Sequence, residues 1–317
     1  MVQRAAQVEH IEVGPDRDGQ RLDNYLIGYL GGAPRSLIYR IVRKGEVRVN
    51  RGRVRPNYRL RAGDVVRVPP VRTREPASTV PEGLVRALPA RVIHEDDDLL
   101  VLNKPAGVAV HGGTGLSGGV IEALRQARPA WQQLDLAHRL DRGTSGCLVM
   151  AKHRGALKWL NSAFRDRRCI KRYLALVAGE WPQTLQTVDV PVARERLAQG
   201  ERDVVADASA VNAREAVSHF TVLQRLSGLT LMEVTIDTGR MHQIRVHAAH
   251  TGHPLAGDSR YGDPDLNRQL RQAGLKRMFL HAHYLELPDQ AGDMQVFSAP
   301  LDEDLRAVLD KLEQGRS

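Results

Sequence analysis

A chain of 317 residues, 42% hydrophobic and 26% charged, can bury one sizeable core and a small additional domain, and such a composition excludes a disordered or fibrous protein. No run is long and apolar enough to span a membrane, and the opening Met1-Val2-Gln3-Arg4-Ala5-Ala6-Gln7 lacks the apolar stretch of a signal peptide, so a cytoplasmic protein with no membrane partner is expected. The net charge of +9 is concentrated, because residues 1–75 hold 16 Lys and Arg against 8 Asp and Glu, which directs that quarter of the chain toward a polyanion such as nucleic acid.

In chain order, residues 1–17 read as a tail. Leu22, Tyr25, Leu26 and Leu30 then share one face of a helix with Asp23 in its first turn. A second helix spans Ser36 to Lys44 on the spacing of Leu37, Ile38 and Ile41, bounded by Pro34 and Gly45. Val47, Val49, Val54, Val65, Val66 and Val68 suggest short strands, which closes a small domain over 18–75. Pro76, Pro81 and Pro89, with Ser78, Thr79 and Gly83, mark a linker over 76–90.

The remaining 91–317 form the larger domain. Val92–Glu95 and Leu99–Leu102 flank Asp96-Asp97-Asp98 as strand, turn and strand, and Cys147-Leu148-Val149-Met150 reads as a buried strand. Ala156, Leu157, Leu160, Ala163 and Phe164 stripe a helix near 154–167. Strands over Ile170–Val177, Val217–Leu223 and Leu229–Ile236 follow, then a closing amphipathic helix over Pro300–Leu312, so the fold class is α+β. Cys147 and Cys169 form no metal or redox spacing and read as reduced thiols. His242, His247, His250, His253, His281 and His283 lack the carboxylate or cysteine spacing of a zinc site, so no metal is expected.

The stretch with the most chemical content is His138-Arg139-Leu140-Asp141-Arg142-Gly143-Thr144-Ser145-Gly146. Thr144, Ser145 and Gly146 permit a tight turn, and Asp141 fits either a turn residue or a catalytic carboxylate. Tyr173 in its strand fits either an amphipathic core residue or a flat binding platform. His242, Arg245 and Ala249 fall at helical spacing before Gly252, which turns Arg245 to one side of a helix.

The run from His138 to Gly146 resembles the catalytic motif of the RluA family of RNA pseudouridine synthases. Leu99-Leu100-Val101-Leu102-Asn103-Lys104-Pro105-Ala106-Gly107, Lys171-Arg172-Tyr173-Leu174-Ala175-Leu176-Val177 and Gly239-Arg240-Met241-His242-Gln243-Ile244-Arg245-Val246-His247 resemble its other motifs, in family order. Gly143 stands where an acidic or polar residue is usual. The segment from Gln20 through Arg43-Lys44-Gly45-Glu46-Val47-Arg48-Val49-Asn50 to Asp64 resembles an S4 RNA-binding domain. With His111-Gly112-Gly113-Thr114-Gly115-Leu116-Ser117, it is similar to the RluC subgroup, which acts on large-subunit ribosomal RNA.

The resemblance implies a bent mixed β-sheet with flanking helices and a central RNA cleft, preceded by a small S4-like domain. It implies isomerisation of specific uridines in 23S rRNA to pseudouridine by a monomer, on free RNA or within a pre-ribosomal particle, with no cofactor. The catalytic residues are then Asp141 at the ribose, Tyr173 stacked on the uracil and Arg245 paired with Asp141. A guanidinium beside a carboxylate lowers its pKa by about 1–3 units and so opposes the effect of a closed pocket. The planar fork of arginine can hold both carboxylate oxygens in one orientation.

Arg139, Arg142, Lys104 and Lys171 flank the motifs as RNA-phosphate contacts or as a solvated rim, and Arg240 reads equally as structural or RNA-facing. In the S4-like segment the RNA-binding candidates are Arg35, Arg40, Arg43, Lys44, Arg48 and Arg51, with Arg53 and Arg55 behind them. The alternative is an RNA-binding ribosome assembly factor that keeps the fold without turnover.

Overall fold

Residues Glu9–Glu12, expected in a tail, form the first strand (β1) and pair antiparallel with Val65–Val68 (β3) in a computed structural model that describes residues 7–30, 33, 35–71, 80–112, 118–197, 200–210 and 212–314. The signal was faint, since Ile11 and Val13 supply one short inward alternation and only Val13 is fully buried. Between these strands lie α1 (Leu22–Tyr29), α2 (Arg35–Arg43) and β2 (Arg48–Val49), the last also paired with β3. Leu22, Tyr25 and Leu26 of α1 and Ile38, Ile41 and Val42 of α2 meet Leu60, Val66 and Val68 in one core, as their spacing predicts. Val54 forms no strand. Contacts divide the chain into the units Met1–Thr79 and Val80–Ser317. Positions 72–75 of the expected small domain, 76–79 of the expected linker, Pro34, and 113–117 of the His111–Ser117 run lie outside the described residues.

The rest of the expected linker is helical. Glu82–Ala87 (α3) and a 3-10 turn over Leu88–Arg91 place Leu88 in the core of the second unit, with Leu84 and Val85 packed against it. Three apolar residues among prolines form a stripe too short to stand out from the punctuation around it. There follow β4 (Val92–Glu95), β5 (Leu99–Lys104), α4 (Val120–Ala127), β6 (Asp135–Leu136), β7 (Ser145–Ala151), α5 (Arg154–Arg165) and β8 (Ile170–Ala178). Then come β9 (Thr187–Asp189), the hairpin β10 (Val192–Leu197) and β11 (Gly200–Val205), β12 (Val217–Leu226) and β13 (Leu229–Ile236). The chain continues with α6 (Gln243–His250), α7 (Pro264–Gln272), β14 (Leu280–Pro288), β15 (Met294–Ser298) and α8 (Glu303–Gln314).

One mixed sheet runs β4-β5-β7-β14-β8-β13-β12-β9, and β7 and β14 are its parallel pair. Period-two alternation divides each central strand between two faces. Leu148 and Met150 of β7, Leu100 and Leu102 of β5, and Tyr173, Ala175 and Val177 of β8 face the core that contains α4 and Ile244 and Ala248 of α6. Cys147, Val149 and Ala151 of β7 face α5 on the other side. Burial on both faces explains the unbroken apolar run at Cys147–Met150.

The expected turn at Thr144–Gly146 lies earlier, because the Thr144 amide donates to the Asp141 carbonyl and Ser145 already belongs to β7. Gly146 has another purpose. Its φ is +113°, and a Cβ there would stand 2.2 Å from the Ala282 carbonyl oxygen of β14, so only glycine allows the close approach of the parallel strands.

Candidate active site

Asp141 sits in the loop before β7, and three backbone contacts hold that loop. The Gly107 amide donates to the Arg142 carbonyl at 2.8 Å, Arg142 Nε donates back to the Gly107 carbonyl at 2.7 Å, and Lys104 Nζ reaches the Arg142 carbonyl at 3.4 Å. Asp141 retains 20% side-chain exposure and faces a cavity of about 110 Å³ with Tyr173 of β8 and Arg245 of α6. Among the described residues lining this cavity it is the one carboxylate.

Helix α6 is fixed by hydrogen bonds from the motif that begins it. Gln243 Oε1 accepts from the Thr238 hydroxyl and the Arg240 amide, while its Nε2 donates to the Val217 carbonyl and Ser218 Oγ. His247 bridges Ser218 Oγ and the Val190 carbonyl. The helix therefore has one seat on β12, and Arg245 projects from it beside Asp141.

The geometry keeps the expected ion pair but corrects its form. Arg245 Nη1 approaches Asp141 Oδ2 at 3.6 Å, through one nitrogen, while the fork closes on Asp258, with Nε to Oδ2 at 2.7 Å and Nη2 to Oδ1 at 2.9 Å. Asp258 is fully buried and also accepts the amides of Arg260 and Tyr261. Burial alone would raise its pKa, but the Arg245 hydrogen bonds and charge hold it below the ordinary value. Arg245 also lies over the Tyr261 ring, 4.9 Å from its centroid. Asp258 and Tyr261 went unnoticed in the sequence because Gly257-Asp258-Ser259-Arg260-Tyr261-Gly262 reads as an ordinary loop. Asp203 of β11 was missed for a similar reason, in a polar hairpin with no strong period.

Tyr173 is buried with its ring lining the cavity, and burial followed by the Asp141 charge pushes its hydroxyl pKa up, so the phenol stays protonated. Arg139 and Arg142 are exposed beside Asp141. Lys171 shares the Tyr173 face of its strand but is half-buried, and burial lowers its pKa. Lys104 is corrected outright. It is fully buried, and Nζ donates to the carbonyls of Pro105 and Val108 at 2.9 and 2.8 Å, so it ties the loop and cannot reach an RNA phosphate. Arg240 lines the cavity and donates to the Glu215 carbonyl. A wider groove of about 650 Å³ adjoins at Gly239, Arg240 and Met241 and runs beneath the β10–β11 hairpin past Arg194 and Arg214.

In the first unit, Arg35, Arg40, Arg43, Lys44, Arg48 and Arg51 are all exposed. The buried stripe of α2 leaves its arginines on the outward side. Arg48 Nε donates to the Gly45 carbonyl at 3.3 Å, which steadies the basic turn after α2.

Residues 98–250 match the RNA pseudouridylate synthase family, and residues 20–66 match the S4 domain. The chain belongs to the RNA pseudouridylate synthase family. It is 45% identical to ribosomal large subunit pseudouridine synthase C of Haemophilus influenzae, with 98% of this chain and 97% of that protein covered, and 47% identical to the protein of that name from Escherichia coli K12, with 98% of each covered. Among solved structures, human RNA pseudouridylate synthase domain containing 4 superposes with a TM-score of 0.60 at 26% identity, covering 73% of this chain and 96% of its own. Human RNA pseudouridylate synthase domain containing 1 gives 0.56 at 27% identity, covering 73% and 95%.

Proposed function

We propose that this protein isomerises uridines of large-subunit (23S) ribosomal RNA to pseudouridine. The observation that carries this reading is a single carboxylate, Asp141, in a cavity with a buried tyrosine and a fixed guanidinium, within a chain alike over nearly its whole length to large-subunit pseudouridine synthases.

The target uridine is stacked in folded RNA and must be extruded to reach Asp141, at a cost of a few kcal/mol that basic contacts offset. The Asp141 carboxylate takes the C2′ proton as the N1–C1′ bond breaks, and the bonding pair leaves on N1. The base turns over the Tyr173 face. C5 then bonds to C1′ as the proton returns from Asp141 to C2′, and C5 loses its proton while N1 gains one. Reactant and product share one formula, so no external electron or group is required. Arg245 Nη1 faces Asp141 Oδ2 at 3.6 Å, and the seat of α6 on β12 keeps that guanidinium in place through the transfer.

Pseudouridine mapping of rRNA from cells with and without this protein tests the proposal. Loss of modification at particular large-subunit uridines is expected, restored by the wild-type protein and not by Asp141→Asn, whose RNA affinity should be nearly unchanged. An unaltered modification pattern, or full turnover by Asp141→Asn, would refute it.

A further inference from the structure

The β10–β11 hairpin brings a second carboxylate close to the reaction cavity. Asp203 is buried on β11, with Oδ2 3.0 Å from Nδ1 of His242, and the Tyr261 hydroxyl lies 3.1 Å from the same nitrogen. His242 lines the Asp141 cavity in a left-handed backbone conformation, φ 56° and ψ 17°, which costs a residue with a side chain about 1–2 kcal/mol. Its Nε2 faces Asp141 Oδ2 at 3.9 Å, too far for a hydrogen bond.

A carboxylate only accepts and would repel a lone pair 3.0 Å away, so the ring proton sits on Nδ1, where the Tyr261 hydroxyl also accepts it, and Nε2 is left a bare acceptor. Burial keeps the ring pKa below its usual value against the opposing charges of Asp141 and Asp203, so the ring is neutral at physiological pH. An acceptor beside the acting carboxylate, with no donor between them among the described residues, leaves room for one hydroxyl of the substrate. Asp141 acts at C2′, and the hydroxyl on that carbon is the one within reach.

We propose that His242, oriented by Asp203, accepts a hydrogen bond from the 2′-hydroxyl of the target uridine and so makes the site selective for ribose over deoxyribose. This rests on the reading that Asp141 acts at the sugar. The hydroxyl is the feature that separates RNA from DNA at a given nucleotide. A substrate lacking it leaves a desolvated ring nitrogen unpaired, which is how polar sites reject such analogues. Asp203 is a positioning residue here, acting only through the ring it orients.

The test uses a synthetic large-subunit rRNA fragment containing one uridine modified by this protein, made with either 2′-OH or 2′-H at that nucleotide. Binding of both fragments is measured with the full-length Asp141→Asn protein, which prevents conversion, and with the same protein carrying His242→Phe or Asp203→Ala. The His242 protein should bind the 2′-OH fragment about tenfold more tightly. His242→Phe should weaken that fragment by about the same factor and bind the two alike. Asp203→Ala should narrow the preference by at least about threefold, and it decides the matter if His242→Phe does not fold. Equal binding by the His242 protein, or a preference that survives intact in either variant, overturns the proposal. Pseudouridine formation by Asp141→Asn on the 2′-OH fragment would instead sink the role of Asp141, so the two failures are distinguishable.

Discussion

Replacing Asp258 by alanine should strand the guanidinium that faces the Asp141 carboxylate. The Arg245 side chain is 11% exposed and that of Asp258 is 0% exposed, and two short hydrogen bonds join them. Removal of one partner of a buried pair costs about 3–5 kcal/mol, and two charge-assisted hydrogen bonds at about 1.5–3 kcal/mol each give a similar figure. At about 2–4 °C per kcal/mol for a unit of this size, the unfolding temperature should fall by about 6–20 °C. Arg245→Ala should fall by a comparable amount. Asp258→Leu combined with Arg245→Met should recover most of the loss, because an apolar pair replaces two desolvated charges. The folded pKa of Asp258 is lowered, so its contribution is present above the unfolded value of about 3.9 and disappears as pH falls through the folded value. The gap between wild type and Asp258→Ala should therefore close on acidification below about pH 4. Calorimetry of wild type, Asp258→Ala, Arg245→Ala and the double alanine variant gives the coupling directly. Single losses that add to the double within about 0.5 kcal/mol would show that the two side chains do not act as a pair. Well below its unfolding temperature, Asp258→Ala should lower kcat with little change in KM for RNA, since the third Arg245 nitrogen loses its fixed place 3.6 Å from Asp141.

Other expectations follow from the same geometry. Gly146→Ala forces a Cβ to within 2.2 Å of a carbonyl at a positive φ, so the variant should lose several kcal/mol, on the order of the whole stability margin, and accumulate as insoluble protein; a soluble variant with wild-type unfolding would contradict the close approach. Burial lowers the Lys104 pKa to about 7, against the neighbouring Asp141 charge. The unfolded chain then binds one more proton than the folded chain above pH 7, so wild-type stability relative to Lys104→Met should rise by up to about 1.4 kcal/mol per pH unit from pH 7 to 9 in denaturant titrations, and a flat difference would exclude the lowered pKa. Combined Arg35→Gln, Arg40→Gln, Arg43→Gln and Lys44→Gln removes four exposed charges on and after α2. Each lost phosphate contact should reduce the log–log salt slope of rRNA binding by about 0.7, and an unchanged slope would remove this face from the RNA interface.

What was legible in the sequence was its apolar patterning. Short apolar runs named β5, β7, β8 and β13, and helical spacing placed Arg245 beside the cleft. Lys104 was misread because a lysine is ordinarily exposed. Its burial depends on carbonyls of Pro105, Val108 and Arg142 that converge only after folding. The partner of the Arg245 fork was invisible for the same reason, since Asp258 belongs to a turn whose position is set by Gly257 lying against the Arg277 carbonyl and by Asn267 holding the Asp258 carbonyl. The β10–β11 hairpin, α7, β14 and β15 carry too many polar residues for either period to stand out.

The corrected pairing also suits the chemistry better than the expected one. Had the Arg245 fork gripped both oxygens of Asp141, both would have been engaged before any substrate arrived, and each transfer would have weakened two charge-assisted hydrogen bonds. With the fork held by Asp258, the guanidinium is immobile and its charge still acts on Asp141 through one nitrogen at 3.6 Å. Asp141 then has an oxygen free to turn toward the sugar. Rigidity is placed in the arginine and freedom in the carboxylate, and each change in proton position during the reaction meets a positive charge that does not have to move.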